Sequence, residues 1–155
     1  MKQLTESILD DLGQQAKASA RLRMNRNLHE KLEDPVQRLA IAMEPDTFVR
    51  PHRHPQTWEL LTALRGRFVV LLFDDHGVVT SRTVLGEDCR VIEFPANTWH
   101  AVLSLDSGGV IFEVKQGAYQ PLTEADFAPW GGSGDASDAA RLNAWYAQAK
   151  VGDRL

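Results

Sequence analysis

The sequence predicts a mainly β protein with one helix at its N-terminal end and one at its C-terminal end. Three patterns lead there. From about Gln37, eight short segments rich in β-branched and aromatic residues alternate with turn signals. The residues before that region repeat their apolar positions at helical spacing. So do the residues that close the chain.

Leu4, Ile8, Leu9, Leu12 and Ala16 recur as on one helix face, so a helix is expected over residues 4–18. Thr5 can cap its first turn, and Leu4 and Leu9 stand where a hydrophobic staple would hold the entry. The following "ASARLRMNRNLHEKLEDP" has no clear periodicity and reads as a long ordered loop or a short helical turn. The expected strands are "RLAIAM", "TFVRPHRH", "WELLTALRG", "RFVVLLFDD", "VVTSRTVL", "RVIEF", "WHAVLSL" and "GVIFEVK". About eight strands at this spacing imply a sandwich or barrel, not βαβ units. In "FDDHGVV", Gly77 can take the positive φ of a hairpin turn. "PLTEADFAPW" reads as a capped turn laying Phe127 and Trp130 on the domain, and "GGSGDASD" as a spacer. "SDAARLNAWYAQAK" is an amphipathic helix with Leu142, Trp145, Tyr146 and Ala149 on one side and Ser137 as its cap. The expected division is 1–36 (helix and arginine-rich loop), 37–130 (β barrel) and 131–155 (linker and helix).

Size and charge narrow the function classes. The 155 residues, 43% hydrophobic and 25% charged, fit one soluble domain. A net charge of −4 argues against nucleic-acid binding. The single cysteine, Cys89, excludes an internal disulfide and a cysteine-rich zinc module. The run "FVVLLF" is too short to span a bilayer, and the acidic N-terminus lacks the apolar run of a secretory signal, so a cytoplasmic protein without membrane partners is expected. That same run shows no clean alternation, which implies cover on both faces; a homodimer through one sheet would provide it.

"PHRHPQTWELLTALRG" raises the question of a metal. His52 and His54 are two apart and share a strand face. Glu59 has the wrong parity for one continuous strand, but Pro55 breaks the strand and lets Glu59 be aimed independently. His100 follows the proline-led turn in "FPANTWHAV". A lone His-x-His is more commonly a pair of half-exposed polar residues. Three imidazoles with one carboxylate are different: such a set suits one divalent transition ion, iron, manganese, nickel, cobalt, copper or zinc, and leaves coordination positions open for a ligand.

These residues resemble the two motifs of the cupin superfamily. The first, G-x5-H-x-H-x(3,4)-E-x6-G, is matched by His52, His54, Glu59 and Gly66, with Asp46 in place of its opening glycine. The second, G-x5-P-x-G-x2-H-x3-N, is matched by Pro95 and His100, with Cys89, Asn97 and Ser104 at its other positions. Asparagine tolerates the left-handed turn better than other side chains do. Over residues 1–130, "RLRMNRNLHEKLEDPVQRLAIAMEPDTFVRPHRH", "WELLTALRGRFVVLLFDD" and "FEVKQGAYQPLTEADFAPW" look like the WbuC-like cupin metalloproteins. That resemblance implies a jelly-roll β-barrel, a metal held by His52, His54, Glu59 and His100, and a setting in O-antigen and other surface-polysaccharide gene clusters.

Around this site, Arg21, Arg23, Asn25 and Asn27, with Arg26 and His29, form a polar segment able to clamp a sugar-derived or anionic small molecule. A solvated loop tied to Asp10, Asp11 or Glu30 is the alternative. Glu113 could partner the metal ligands but reads first as an outward strand carboxylate, and Arg53 reads as pointing away from its flanking histidines. Trp58 and Trp99 read as packing residues, and His76 as exposed. A small-molecule metalloenzyme, isomerase-like or oxygenase-like, a metal-dependent binding module, or a structural cupin whose metal mainly stabilises the barrel fits these residues.

Overall fold

Thr5 accepts a hydrogen bond from the Ile8 amide (3.4 Å) and so opens α1, Glu6–Ala18, as the sequence implies. The computed structural model describes residues 1–155, the side chain at position 136 excepted. Eight strands follow: β1 Arg23–Asn27, β2 Val36–Met43, β3 Glu59–Arg65, β4 Phe68–Phe73, β5 Val79–Leu85, β6 Val91–Phe94, β7 Trp99–Ser104 and β8 Gly109–Gln116. They form two antiparallel sheets, β1-β2-β8-β3-β6 and β5-β4-β7, the two-sheet arrangement of a jelly roll.

Membership of the strand set differs from expectation at two places. "TFVRPHRH" forms no named strand; it joins the fold through isolated bridges from His52 to His100 and to Phe127. Arg23–Asn27, read above as loop or helical turn, is the edge strand of the larger sheet, with Asn25 opposite Ile41 and Asn27 opposite Leu39. Its inward residues are polar, so it lacks the apolar alternation that marks a strand.

Two helices cover the outer faces. Leu9, Leu12 and Ala16 of α1 pack on Ala40, Ala42 and Val110 of the large sheet. The second helix, α2, Ala136–Gln148, lays Leu142 and Tyr146 on Val69, Leu71, Phe73 and Ala101 of the small sheet. Its cap is Asp135, whose side chain accepts from the Asp138 amide at 2.9 Å, and not Ser137. Between the sheets Met43, Leu61, Phe68, Val70, Phe94, Val102 and Ile111 form the central core. The two-sided burial of β4 is thus met within the chain: Phe68 and Val70 face the other sheet, while Val69 and Leu71 face α2. A subunit interface is not needed to explain it.

Two turns depend on positive φ. Gly66 (φ 70°) reverses the chain between β3 and β4, where a Cβ would lie 3.2 Å from the Gly109 Cα. Gly77 (φ 80°) closes the β4–β5 hairpin beneath Trp130, and Asp74 accepts from the His76 and Val78 amides, both at 2.9 Å.

Candidate metal centre

The His52–His54 segment is held from both sides. His52 and His100 exchange both backbone hydrogen bonds (3.0 and 2.9 Å), which sets them opposite each other on one face. Between those bonds, the Arg53 amide donates to the Asp126 carbonyl (2.9 Å) and the Ala128 amide to the Pro51 carbonyl (2.9 Å). The short turn Glu124–Asp126, closed by a capping box between Thr123 and Asp126, therefore supports the histidine segment. The Asn97 amide donates to the His54 carbonyl (2.8 Å), and Asn97 has φ 64°, supplying the turn that the motif assigns to glycine. Pro55 ends the segment, and Glu59 starts β3 facing inward.

Donor nitrogens of His52, His54 and His100 all lie within 4.8 Å of one another. Glu59 meets two of the three: its Oε1 is 3.1 Å from His54 Nε2 and its Oε2 is 3.0 Å from His100 Nε2. Cis ligands at ~2.1 Å from an octahedral ion lie ~3.0 Å apart, so these spacings suit ligation of a shared cation. The far nitrogens are engaged as metal-binding imidazoles require: His52 Nδ1 is 2.8 Å from the Arg50 carbonyl and His100 Nδ1 is 3.0 Å from the Thr98 carbonyl. Both must carry hydrogen on Nδ1, which turns Nε2 toward the centre. The donor set therefore fits a divalent transition ion.

Electrostatics divide the four groups. Burial, reinforced by His100, pushes the His52 pKa well down, so its lone pair stays free. Burial would raise Glu59, but His100 and His54 outweigh it and hold the carboxyl well below its usual range. Burial opposes charge on His100 as well, and Glu59 reverses that, raising the imidazole above its ordinary value.

A cavity of about 520 Å³ opens from this cluster. Arg21, Arg23, Asn25, Asn27 and His29 line its other wall, Leu39, Ile41 and Ile111 supply apolar lining, and Arg26 is not part of it. The registers place Asn27, Leu39, Glu113 and Leu61 in one cross-sheet row and Gln37, Lys115, Glu59 and Phe94 in the next.

That row corrects the expectation for Glu113. It faces the cavity, while its neighbour Phe112 packs outward beneath α1. Lys115 also went unnoticed in the sequence; its Nζ lies 3.2 Å from Glu113 Oε1 and 3.7 Å from Glu59 Oε1. The alternation Ile111-Glu113-Lys115 is the signal for both, once a helix covers the sheet's outer face. Burial, then the charge of Glu59, pushes the Glu113 pKa up. Burial would lower Lys115, but the two carboxylates outweigh it and raise its pKa.

The remaining expectations fall outside the cavity. Arg53 stacks on Trp99, its Cζ 4.2 Å from the ring centroid, and Trp99 donates to Asp75 Oδ1 (2.9 Å). Trp58 lies half-buried outside the cavity lining, and His76 is exposed. Cys89 is partly buried beside the central core.

Comparison with known proteins locates this architecture. No curated protein matches the sequence. Among solved structures, BH2720 from Bacillus halodurans aligns with a TM-score of 0.55 at 19% identity, over 77% of this chain and 85% of its own. Oxalate oxidase in complex with the substrate analogue glycolate aligns at 0.54 and 15% identity, over 86% and 77%. KdgF from Halomonas sp. aligns at 0.51 and 12%, over 63% and 82%. These likenesses give the chain the cupin fold. Since a family model also matches residues 4–85, over half of its length, the chain belongs to the family described as Domain of unknown function (DUF6016).

Proposed function

We propose that the protein is a cupin metalloprotein in which His52, His54, His100 and Glu59 hold one divalent transition metal, and that it acts as a small-molecule metalloenzyme. The supporting observation is the convergence of three imidazole nitrogens within 4.8 Å, two of them with Nδ1 fixed on backbone carbonyls. When bound, such an ion supplies Lewis-acid polarisation of a carbonyl or hydroxyl oxygen, or a redox centre. Glu59 then neutralises part of its charge, and Lys115 balances Glu59 and Glu113. Leu39, Ile41 and Ile111 keep water from a bound carbon skeleton. Glu113, a cavity carboxyl not needed as a ligand and shifted toward its protonated form, is placed to exchange a proton with bound substrate.

Arg21, Arg23, Asn25 and Asn27 are the substrate-binding side of the cavity in this reading. The WbuC-like resemblance directs it toward sugar-derived molecules of O-antigen and other surface-polysaccharide metabolism. A metal-dependent binding module without turnover is the second reading, favoured by the two arginines that line the cavity. Elemental analysis of protein purified without added metal tests the shared premise: about one ion per chain is expected, and a metal-free product that takes up no transition ion would refute it. Turnover of candidate sugar acids then separates the two readings.

A further inference from the structure

His29 is 6% exposed and stands where β1 leaves the sheet. Asn27 pairs with Leu39, so the next ladder step should join Leu28 to Arg38. Half of that step forms, the Leu28 amide donating to the Arg38 carbonyl at 2.7 Å. The other half is taken over by a side chain: the Arg38 amide donates to His29 Nδ1 at 3.0 Å, and although the Arg38 carbonyl also lies 3.1 Å from Nδ1, that oxygen already accepts from Leu28. A backbone N–H can only donate, so Nδ1 is the unprotonated nitrogen and the neutral ring carries its hydrogen on Nε2. The other tautomer would set two N–H groups against each other and orphan the Arg38 amide. Nε2–H is therefore a fixed donor on the ring edge away from the sheet. It is buried without a hydrogen-bond partner among the described residues, and the ring lines the cavity.

Arg23 joins it. Arg23, Asn25 and Asn27 alternate on the inner face of β1, and Arg21 stands just before. Arg38, Arg50, Arg65, Arg67 and Arg141 each reach a carboxylate. Among the described residues Arg21 and Arg23 reach none. Burial and the adjacent Arg21 push the Arg23 pKa down, and the more distant charge of Glu113 only partly offsets them. Guanidinium groups and an Nε2–H offer donors and no acceptor, so this wall suits a group built from acceptor oxygens.

We infer that the cavity receives a small organic oxyanion, its carboxylate or phosphate accepting from His29 Nε2–H in the positive field of Arg21 and Arg23 on the same wall, with His29 as a specificity-determining residue. The inference rests on the metal reading only for the opposite end of the ligand, where its other oxygens would meet His52, His54 and His100.

Calorimetric titration of the full chain with malonate, inorganic phosphate and the uncharged control erythritol, at about pH 8, above the ordinary imidazole range, tests it. Metal-free and zinc-loaded samples are run in parallel. Saturable binding of an anion in both samples is expected, with erythritol at least about tenfold weaker. Stronger malonate binding assigns the wall to carboxylates and stronger phosphate binding to phosphates. His29→Asn keeps an acceptor oxygen for the Arg38 amide but lacks the Nε2 donor. It should weaken the anion about tenfold while the thermal midpoint holds, and Arg23→Gln should weaken it by a similar factor. Long-range nitrogen–proton NMR should show the His29 proton on Nε2, shifting as the anion is added. A proton on Nδ1, no anion binding in either sample, equal binding of erythritol, or His29→Asn binding like the wild type would overturn the inference. Anion binding by a protein that takes up no metal would sink the metal reading and leave this one standing.

Discussion

His100 Nε2 lies 3.0 Å from Glu59 Oε2, while the other ring nitrogen of His100 lies 3.0 Å from the Thr98 carbonyl. Both nitrogens therefore face acceptors, and without an ion the ring satisfies both only as an imidazolium. A metal bound at Nε2 takes the place of that proton. Proton and metal compete for one position.

In metal-free protein, His100 should titrate above its ordinary 6.5 and His52 well below it, followed through their ring-proton shifts in NMR. Glu59→Gln should bring His100 below 6.5. The stability effect has two limbs. The raised His100 value contributes stability that is fully present below 6.5 and is lost as pH rises through the folded value. The depressed Glu59 value contributes stability present above 4.5 and lost as pH falls through its folded value. The wild type should therefore exceed Glu59→Gln by most between 4.5 and 6.5. An His100 pKa unmoved by the substitution would show that Glu59 is not its partner.

Loaded protein should behave oppositely toward acid. Imidazoles must be neutral to ligate, so metal content should fall as pH drops below about 6. Dialysis across a pH series with elemental analysis reads this directly. A full complement at about pH 4.5 would contradict the ligand set.

His54→Ala isolates ligation from packing, because the His54 side chain is 15% exposed where those of Glu59 and His100 are 3%. Loss of one ligand should weaken metal binding roughly 100-fold or more, beyond the usual effect of losing a ligand's outer partner. The thermal midpoint of the loaded protein should fall toward that of the metal-free form. Unchanged metal content would remove His54 from the centre.

The convergence of His52, His54, Glu59 and His100 was legible because its signal is a spacing: two histidines on one face, a proline break, then a carboxylate. The residues of the cavity's polar wall were legible too, but the strand that carries them was not. Arg23, Asn25 and Asn27 face inward in place of the apolar residues by which a strand is usually recognised, so β1 read as a loop. Glu113 was assigned outward on the premise that polar residues face water. Phe112 takes the outer face because α1 covers it, which leaves the inner face to Ile111, Glu113 and Lys115. At the other sheet α2 packs on the outer face of β4, so the two-sided burial of that strand does not by itself call for a subunit interface. What the sequence hides in each case is which helix lies on which sheet.

Gly66→Ala should cost about 1–2 kcal/mol by denaturant unfolding, since a Cβ at φ 70° is strained and would press on Gly109 and Asp106. Asp106 also receives Arg67 through its Nε and Nη2, both at 3.0 Å, and the turn holds these side chains in place. Metal content per folded chain should not change. A variant as stable as the wild type would mean that the turn relaxes freely.

The C-terminal helix gives the last prediction. Leu142 is fully buried against the small sheet, so Leu142→Ala should destabilise by about 2–5 kcal/mol. Ending the chain after residue 130 should do more, because it uncovers the outer face of β4 at Val69, Leu71 and Phe73 together with Ala101 and Leu103 of β7. A contiguous apolar sheet face of that kind drives association. Light scattering of the shortened chain should report precipitate, or larger species than the full chain and Leu142→Ala give at the same concentration. A shortened chain that stays monomeric with an unchanged thermal midpoint would show that α2 is dispensable cover, and β4 would again need another explanation for its apolar outer face.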